Sequence, residues 1–407
     1  MTTFEKDRQF YRFAVYGFLK NLRFFEPFII LYFRETGFSF LEIGTLYSIR
    51  ETATLLLELP TGFIADFYGR RISMIVSMLA YIASFLIFYL FPYFFAFAAG
   101  MILFGVGEAF RTGPHKALIL EHLRQRGLLD LRVDYYGATR GASQLGSALN
   151  AILAAALVFY GGSYRIVFPA AIIPCLMNLI NLATYPKILD RAIRRTEKRQ
   201  TLGDFLAVFR HRDSRRGILN SGVFDAFFNT GQEYLQPILK SMAVALPVLS
   251  ALEGRQRTAV LVGIVYFLIY LVTSYASRNA GRMSRRLGDT ARTLNLTYLA
   301  GAAMLAVAGV FIGLNIPEGA VLFFLLIFVL QNARRPVNIT YISEKISHRA
   351  MASGLSAESQ IKTLIMALIA PAAGFLADRF GIGPALIVSG VVMGLLLTGA
   401  HLREETK

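Results

Sequence analysis

Ionisable side chains set inside long apolar runs are where this sequence can do chemistry. The basic ones are Lys20, Arg23, Arg50, Arg111, Arg140, Arg334, Arg335 and Lys362; the acidic ones are Glu26, Glu51, Glu58, Glu108, Asp225, Glu233 and Glu358. A charge at a bilayer centre costs ~2.5–3.5 kcal/mol on insertion scales, so such groups face a partner or a cavity. Two kinds of chemistry are open to them. They can hold an ion of opposite sign, or a carboxylate can take up and release a proton in a low dielectric. Some are spaced for mutual neutralisation: Arg23–Glu26 and Glu108–Arg111 at i,i+3, and Glu358–Lys362 at i,i+4. Such pairs either hold helices in register or line a site, and so many inside lipid would cost stability for little structural gain.

Other chemistries lack their residues. There is no GxxxxGK[ST] loop for a nucleotide, no HExxH, no Cys/His metal spacing and no nucleophile–base constellation. The expectation is that the chain is not an enzyme and uses no cofactor and no metal. The histidines fall in loops or at the ends of apolar runs, which disfavours a buried histidine proton relay. Asp225 has no cation at helical spacing on its own run, so it is the expected proton carrier if protons are involved, whereas Glu26 is tied to Arg23. Asn229 and Gln232 extend Asp225 and Glu233 into a polar stripe at helical spacing.

The elements that carry these residues must cross a membrane. The chain has 407 residues, 55% hydrophobic and 17% charged, with a mean hydropathy of +0.51; soluble domains carry about 25% charged residues. Runs of the ~20 apolar residues a spanning helix needs recur at about 12–33, 41–61, 72–91, 93–114, 134–160, 166–185, 217–240, 258–278, 292–313, 319–341, 350–376 and 383–402. They are too long and too uniformly apolar for barrel strands, and lipid cannot hydrogen-bond an open backbone. The fold class is all-α integral membrane with twelve transmembrane helices.

A formal charge of +16 invites a nucleic-acid partner. The distribution argues for topology instead. Most of the 42 Lys and Arg residues lie in segments on the same side as the N-terminus, which by the positive-inside rule puts both termini in the cytoplasm. The expected location is the cytoplasmic (inner) membrane, with the bilayer as partner, no nucleic acid, and a monomeric chain.

The halves repeat weakly but in order. Phe104–Arg111 aligns with Phe328–Arg335, Ser143-Gln144 with Ser359-Gln360, and Glu26-Pro27 with Gln236-Pro237. This divides the chain into an N-terminal six-helix bundle over 1–185, a basic linker with an amphipathic helix over 186–216, and a C-terminal six-helix bundle over 217–407. The two bundles are pseudo-symmetric, as in transporters built from repeats.

Between the second and third spans lies Gly62-Phe63-Ile64-Ala65-Asp66-Phe67-Tyr68-Gly69-Arg70-Arg71. It resembles the loop G-x-x-x-D-x-x-G-R-[RK] of the major facilitator superfamily, with matches at Gly62, Asp66, Gly69, Arg70 and Arg71. The resemblance covers the whole chain and includes features similar to bacterial, drug-exporter-like members. It implies that these five residues gate the protein. The glycine spacing recurs at Gly281 and Gly288, with Arg285 in place of the aspartate.

In that family the first, fourth, seventh and tenth helices line a central cavity, which favours Arg23, Glu26, Asn229 and Glu233 for substrate and Asp225 for the proton. Arg111 and Arg335 either attract an anionic substrate or reach the headgroups by snorkelling; Arg335 is preferred to Arg334 as the repeat mate of Arg111. The implied function is secondary active transport of a small molecule by alternating access, as proton-coupled export (antiport, efflux) of an amphiphilic compound. Alternatives are carriage of an anionic metabolite, lipid flipping, or a membrane sensor that moves no solute.

Overall fold

A computed structural model describes residues 6–111, 114–189, 208–209, 211–287, 289–345 and 351–402. Among the described residues every regular element is helical, as a backbone passing through lipid requires. The first half holds α1 (Arg8–Leu19), α2 (Ile29–Glu35), α3 (Phe40–Tyr68), α4 (Arg70–Leu90), α5 (Phe94–Arg111), α6 (Pro114–Gln125), α7 (Arg132–Gly161) and α8 (Val167–Ala183). The second holds α9 (Arg212–Gln232), α10 (Leu235–Ala245), α11 (Gly254–Leu287), α12 (Thr290–Gly313), α13 (Pro317–Lys345), α14 (Met351–Phe380) and α15 (Ile382–Ala400).

Nine helical stretches among the described residues are by themselves long and apolar enough to cross a membrane. The other three expected spans are special. The first and seventh are each broken in two, α1 with α2 and α9 with α10, while α3 is interrupted by Arg50, Glu51 and Glu58. Both breaks fall beside Glu26-Pro27 and Gln236-Pro237, where proline withdraws a donor from the helix ladder. Residues 112–113, after Arg111, lie outside the described residues. Beyond them the chain folds into α6, where the sequence suggested only a loop.

Contacts divide the chain into two compact units. One comprises Met1–Tyr32, Thr52–Lys198 and Val262–Phe267; the other comprises Phe33–Glu51, Arg199–Leu261 and Leu268–Lys407. The division therefore runs through α3 and α11 as well as through the linker. Of the expected linker helix, residues 201–207 lie outside the described residues. Val208 is buried in the second unit with Ile218, Ile342 and Ala357.

The same pairings of helices build both units. In the first, α4 packs on α5 and α8, and α1 on α7 and α8; in the second, α12 packs on α13 and α15, and α9 on α14 and α15. Small residues permit the approach, since lipid supplies no hydrophobic drive between helices. A serine ladder on α4 donates to α5 carbonyls: Ser73 to Phe110 (2.9 Å), Ser77 to Gly107 (2.6 Å) and Ser84 to Gly100 (2.8 Å). A Cβ added at Gly146 would lie 2.4 Å from the Phe18 carbonyl oxygen, so α1 and α7 approach backbone to backbone. These contacts fix the helices that present Arg23, Glu108 and Arg111.

Candidate functional site

Glu108 on α5 is the centre of a charged cluster in the first unit. It accepts from Arg111 one turn on, and from Arg23, which follows the end of α1, at 2.8 Å. Arg23 also reaches Glu26 at 3.8 Å, and Arg111 Nε donates to the Tyr81 hydroxyl at 3.1 Å. The spacing-based pairs Arg23–Glu26 and Glu108–Arg111 are thus joined across helices by Glu108.

Beside this network lies a cavity of about 30 Å³, room for a water or two. Lys20, Arg23, Arg111 and Asn178 give it a polar side; Phe25, Phe85 and Phe104 give it an aromatic one. Asn178 is 1% exposed, and its Oδ1 has no hydrogen-bond partner among the described residues. His115 stacks on Tyr16 with ring centroids 4.2 Å apart, and its Nε2 is buried without a hydrogen-bond partner among the described residues. Lys20, Glu108, Asn178 and Tyr81 were not among the sequence-derived site residues. Glu108, at i,i+3 from Arg111, and Lys20, at i,i+3 from Arg23, carried a spacing signal; Asn178 and Tyr81 carried none.

The second unit holds a different arrangement. Asp225 Oδ1 accepts from Gln331 at 3.0 Å and lies within electrostatic reach of Arg334. The Asn229 amide donates to the Asp225 carbonyl at 2.7 Å, Gln232 to Asn229 at 3.2 Å, and Gln236 to Glu233 at 3.4 Å. The polar stripe of α9 therefore satisfies much of itself along its own helix. Glu233 is within electrostatic reach of Arg50, which pairs with the buried Glu51 at 2.6 Å.

Glu358 takes hydrogen bonds from Ser221 and from Asn338 (3.3 Å), so neutral donors hold it where the spacing had offered Lys362. The adjacent arginines part company. Arg335 is exposed, whereas Arg334 is 2% exposed, donates to Leu294 O (3.0 Å) and Asn220, and lies over the Phe224 ring at 4.3 Å. A tyrosine contact like that between Arg111 and Tyr81 is made by Arg334 over Tyr298 at 5.5 Å. The buried member of the arginine pair is Arg334, whereas the sequence alignment preferred Arg335 as the mate of Arg111.

Of the five turn residues, Gly69 has φ 107° and ends the gap between α3 and α4, a conformation that needs glycine. Gly62 is exposed, with no heavy atom within 4 Å of a Cβ placed there among the described residues. Arg71 donates to the last carbonyls of α8, Leu182 at 3.0 Å and Ala183 at 2.8 Å, a favourable cation at a helix C-terminus. Arg70 is half-buried. The Asp66 side chain lies outside the described residues, as do the side chains of 277–287 and the whole of Gly288, so the second glycine pair does too.

A family profile described as Major Facilitator Superfamily matches residues 13–358. The chain belongs to that superfamily. Its fold is similar to the nucleoside transporter NupG (12% identity, TM-score 0.77, covering 97% of this chain and 99% of that one). It is also similar to a D-xylose–proton symporter (16%, TM-score 0.69, 98% and 98%). A peptide transporter POT solved in complex with sulfate is a third (14%, TM-score 0.69, 96% and 94%). No curated protein matches the sequence. The chain is therefore a multi-pass membrane transporter, not an enzyme, with a small-molecule substrate.

Proposed function

We propose that this chain is a proton-coupled carrier of a small amphiphilic organic anion, working by alternating access across the cytoplasmic membrane. The observation that carries the reading is the first-unit cavity, where Lys20 stands beside Arg23 and Arg111, which share Glu108, opposite Phe25, Phe85 and Phe104. Three cations against two carboxylates, Glu108 and Glu26, favour a negatively charged group, and the aromatic side favours an apolar body. Charge distribution favours cytoplasmic termini for a monomeric carrier. Asp225 is the proposed proton carrier: it is a half-buried carboxylate on the polar stripe of α9, and its Oδ1 accepts from the neutral amide of Gln331. The five residues of the Gly62–Arg71 turn are proposed to gate the cycle, and Arg335 to meet the anion on its way.

Reconstituted protein in vesicles, with an imposed pH gradient and a panel of aromatic carboxylates, sulfonates, amines and neutral analogues, tests this. Anions should move in a saturable, gradient-dependent way, and Asp225→Asn should abolish the gradient dependence while leaving anion binding. Movement in the direction opposite to protons supports efflux by antiport. Preference for amines would overturn the anion assignment, and no movement of any class would leave a sensor or a lipid-handling protein.

A further inference from the structure

One buried side-chain acceptor in the lining of the first-unit cavity has nothing to accept from among the described residues. Ala171, Cys175 and Asn178 of α8 all line that cavity, and at i, i+4 and i+7 they share one face of the helix. Asn178 is 1% exposed, and its Oδ1 has no hydrogen-bond partner among the described residues. Polar groups further along the same face are tied. The Asn181 amide donates to the Arg12 carbonyl at 3.0 Å, and the Tyr185 hydroxyl donates to the same oxygen at 3.2 Å. The Tyr16 hydroxyl, on the helix α1 that packs on α8, does not fill the gap at Asn178. It is itself buried without a hydrogen-bond partner among the described residues.

A buried acceptor left unmade costs about 1–3 kcal/mol. In a carrier such a group has a use, because it is paired only when something occupies the cavity. Its neighbours in the lining define what that must be. Arg23 and Arg111 hold Glu108, and Lys20 stands at the same cavity. Cations take the charged oxygens of an anion, whereas an amide oxygen repels those and takes an O–H or N–H. A neutral acceptor set among cations therefore matches a solute that carries both a negative group and a hydrogen-bond donor.

We propose that Asn178 Oδ1 receives a hydrogen-bond donor of the transported anion, so that the substrates of this chain are amphiphilic anions bearing a hydroxyl or amino group. This rests on the reading of the cavity as an anion site. The present room of about 30 Å³ holds a water or two, so a ring enters only as the aromatic side parts, and its donor then takes the place of a water.

Uptake by the reconstituted protein is measured for benzoate and for its meta- and para-hydroxy, amino and methoxy derivatives. Hydroxy and methoxy compounds set an oxygen at the same place, but only the hydroxy compounds donate. In the unaltered protein the better hydroxy isomer should have a KM about tenfold below that of its methoxy partner, the scale of one hydrogen bond. The amino compound should follow the hydroxy one, and benzoate the methoxy one. Asn178→Leu nearly keeps the volume and removes the acceptor, and should bring the hydroxy-to-methoxy ratio to about one. Reading a ratio keeps a general loss of uptake from disguising the result, and Asn178→Ala carries the same comparison if the leucine variant fails to fold. A hydroxy preference that survives in both variants would overturn the assignment. So would an equal or reversed preference in the unaltered protein; benzoate uptake in either case leaves the anion reading standing. If none of these anions moves, the anion reading fails and the Asn178 assignment with it.

Discussion

Arg23 and Glu108 stand 85 residues apart in sequence and are joined by a 2.8 Å hydrogen bond. Because Glu108 also holds Arg111, one carboxylate compensates two guanidiniums, one on α5 and one in the segment after α1. Removing it leaves two like charges facing each other in a low dielectric, which costs more than removing either arginine. Glu108→Gln should lower thermal stability in detergent, and Arg23→Gln added to it should recover part of the loss. A double-mutant cycle should give a coupling of about 1–3 kcal/mol between them. Additive effects would mean that the contact is not maintained in solution.

Lys20 lines the same cavity, one helical turn before Arg23. Its ammonium adds attraction for an anion without holding Glu108. Lys20→Gln should raise KM for a transported anion about tenfold, the scale of one charge-assisted hydrogen bond, and leave kcat nearly unchanged. The measurement is initial uptake rate against concentration. A neutral analogue should be unaffected; equal losses for both would assign Lys20 to the fold.

Two glycines should respond oppositely to alanine. At Gly146 the new methyl would sit 2.4 Å from the Phe18 carbonyl oxygen, and backbone cannot yield cheaply, so a loss of about 1–3 kcal/mol is expected. At Gly62 nothing among the described residues lies within 4 Å, and alanine is the better helix former. Gly62→Ala should therefore keep or slightly raise the melting temperature while slowing turnover, as expected of a gating position. A fall in stability as large as that of Gly146→Ala would remove the gating argument.

Most of the fold was legible because lipid makes hydropathy decisive: runs such as 72–91 and 383–402 return as α4 and α15 within a residue or two. Less legible was anything that depends on which helices meet. Glu108 and Arg111 read as a closed pair on one helix, and only the tertiary fold brings Arg23, beyond the end of α1, to Glu108. A second string of the turn's type, Gly374-Phe375-Leu376-Ala377-Asp378-Arg379-Phe380-Gly381, stands in the sequence, but the repeat order pointed to Gly281 and Gly288, and nothing in the string says that Asp378 accepts from the Phe40 N–H. Spacing also cannot say which of two adjacent arginines turns inward, since they differ by about 100° around a helix whose rotation is set by its neighbours.

That last ambiguity yields the sharpest contrast. Arg334 is enclosed by Phe224 and Tyr298 and donates to Leu294 O and Asn220, whereas Arg335 is exposed. Truncating Arg334 to alanine opens a cavity and leaves Asn220 Oδ1 without its donor. Both effects have the same sign, so a loss of about 3 kcal/mol or more is expected. Arg334→Met restores the volume but not the donors and should fall between. Arg335→Ala should change stability by no more than about 0.5 kcal/mol. If Arg335 meets the anion, that variant should lower anion uptake at an unchanged melting temperature. Thermal denaturation of the three purified variants, paired with uptake, separates the roles. Equal melting shifts for the two alanine variants would show that α13 is rotated from the orientation described, and would return Arg335 to the core.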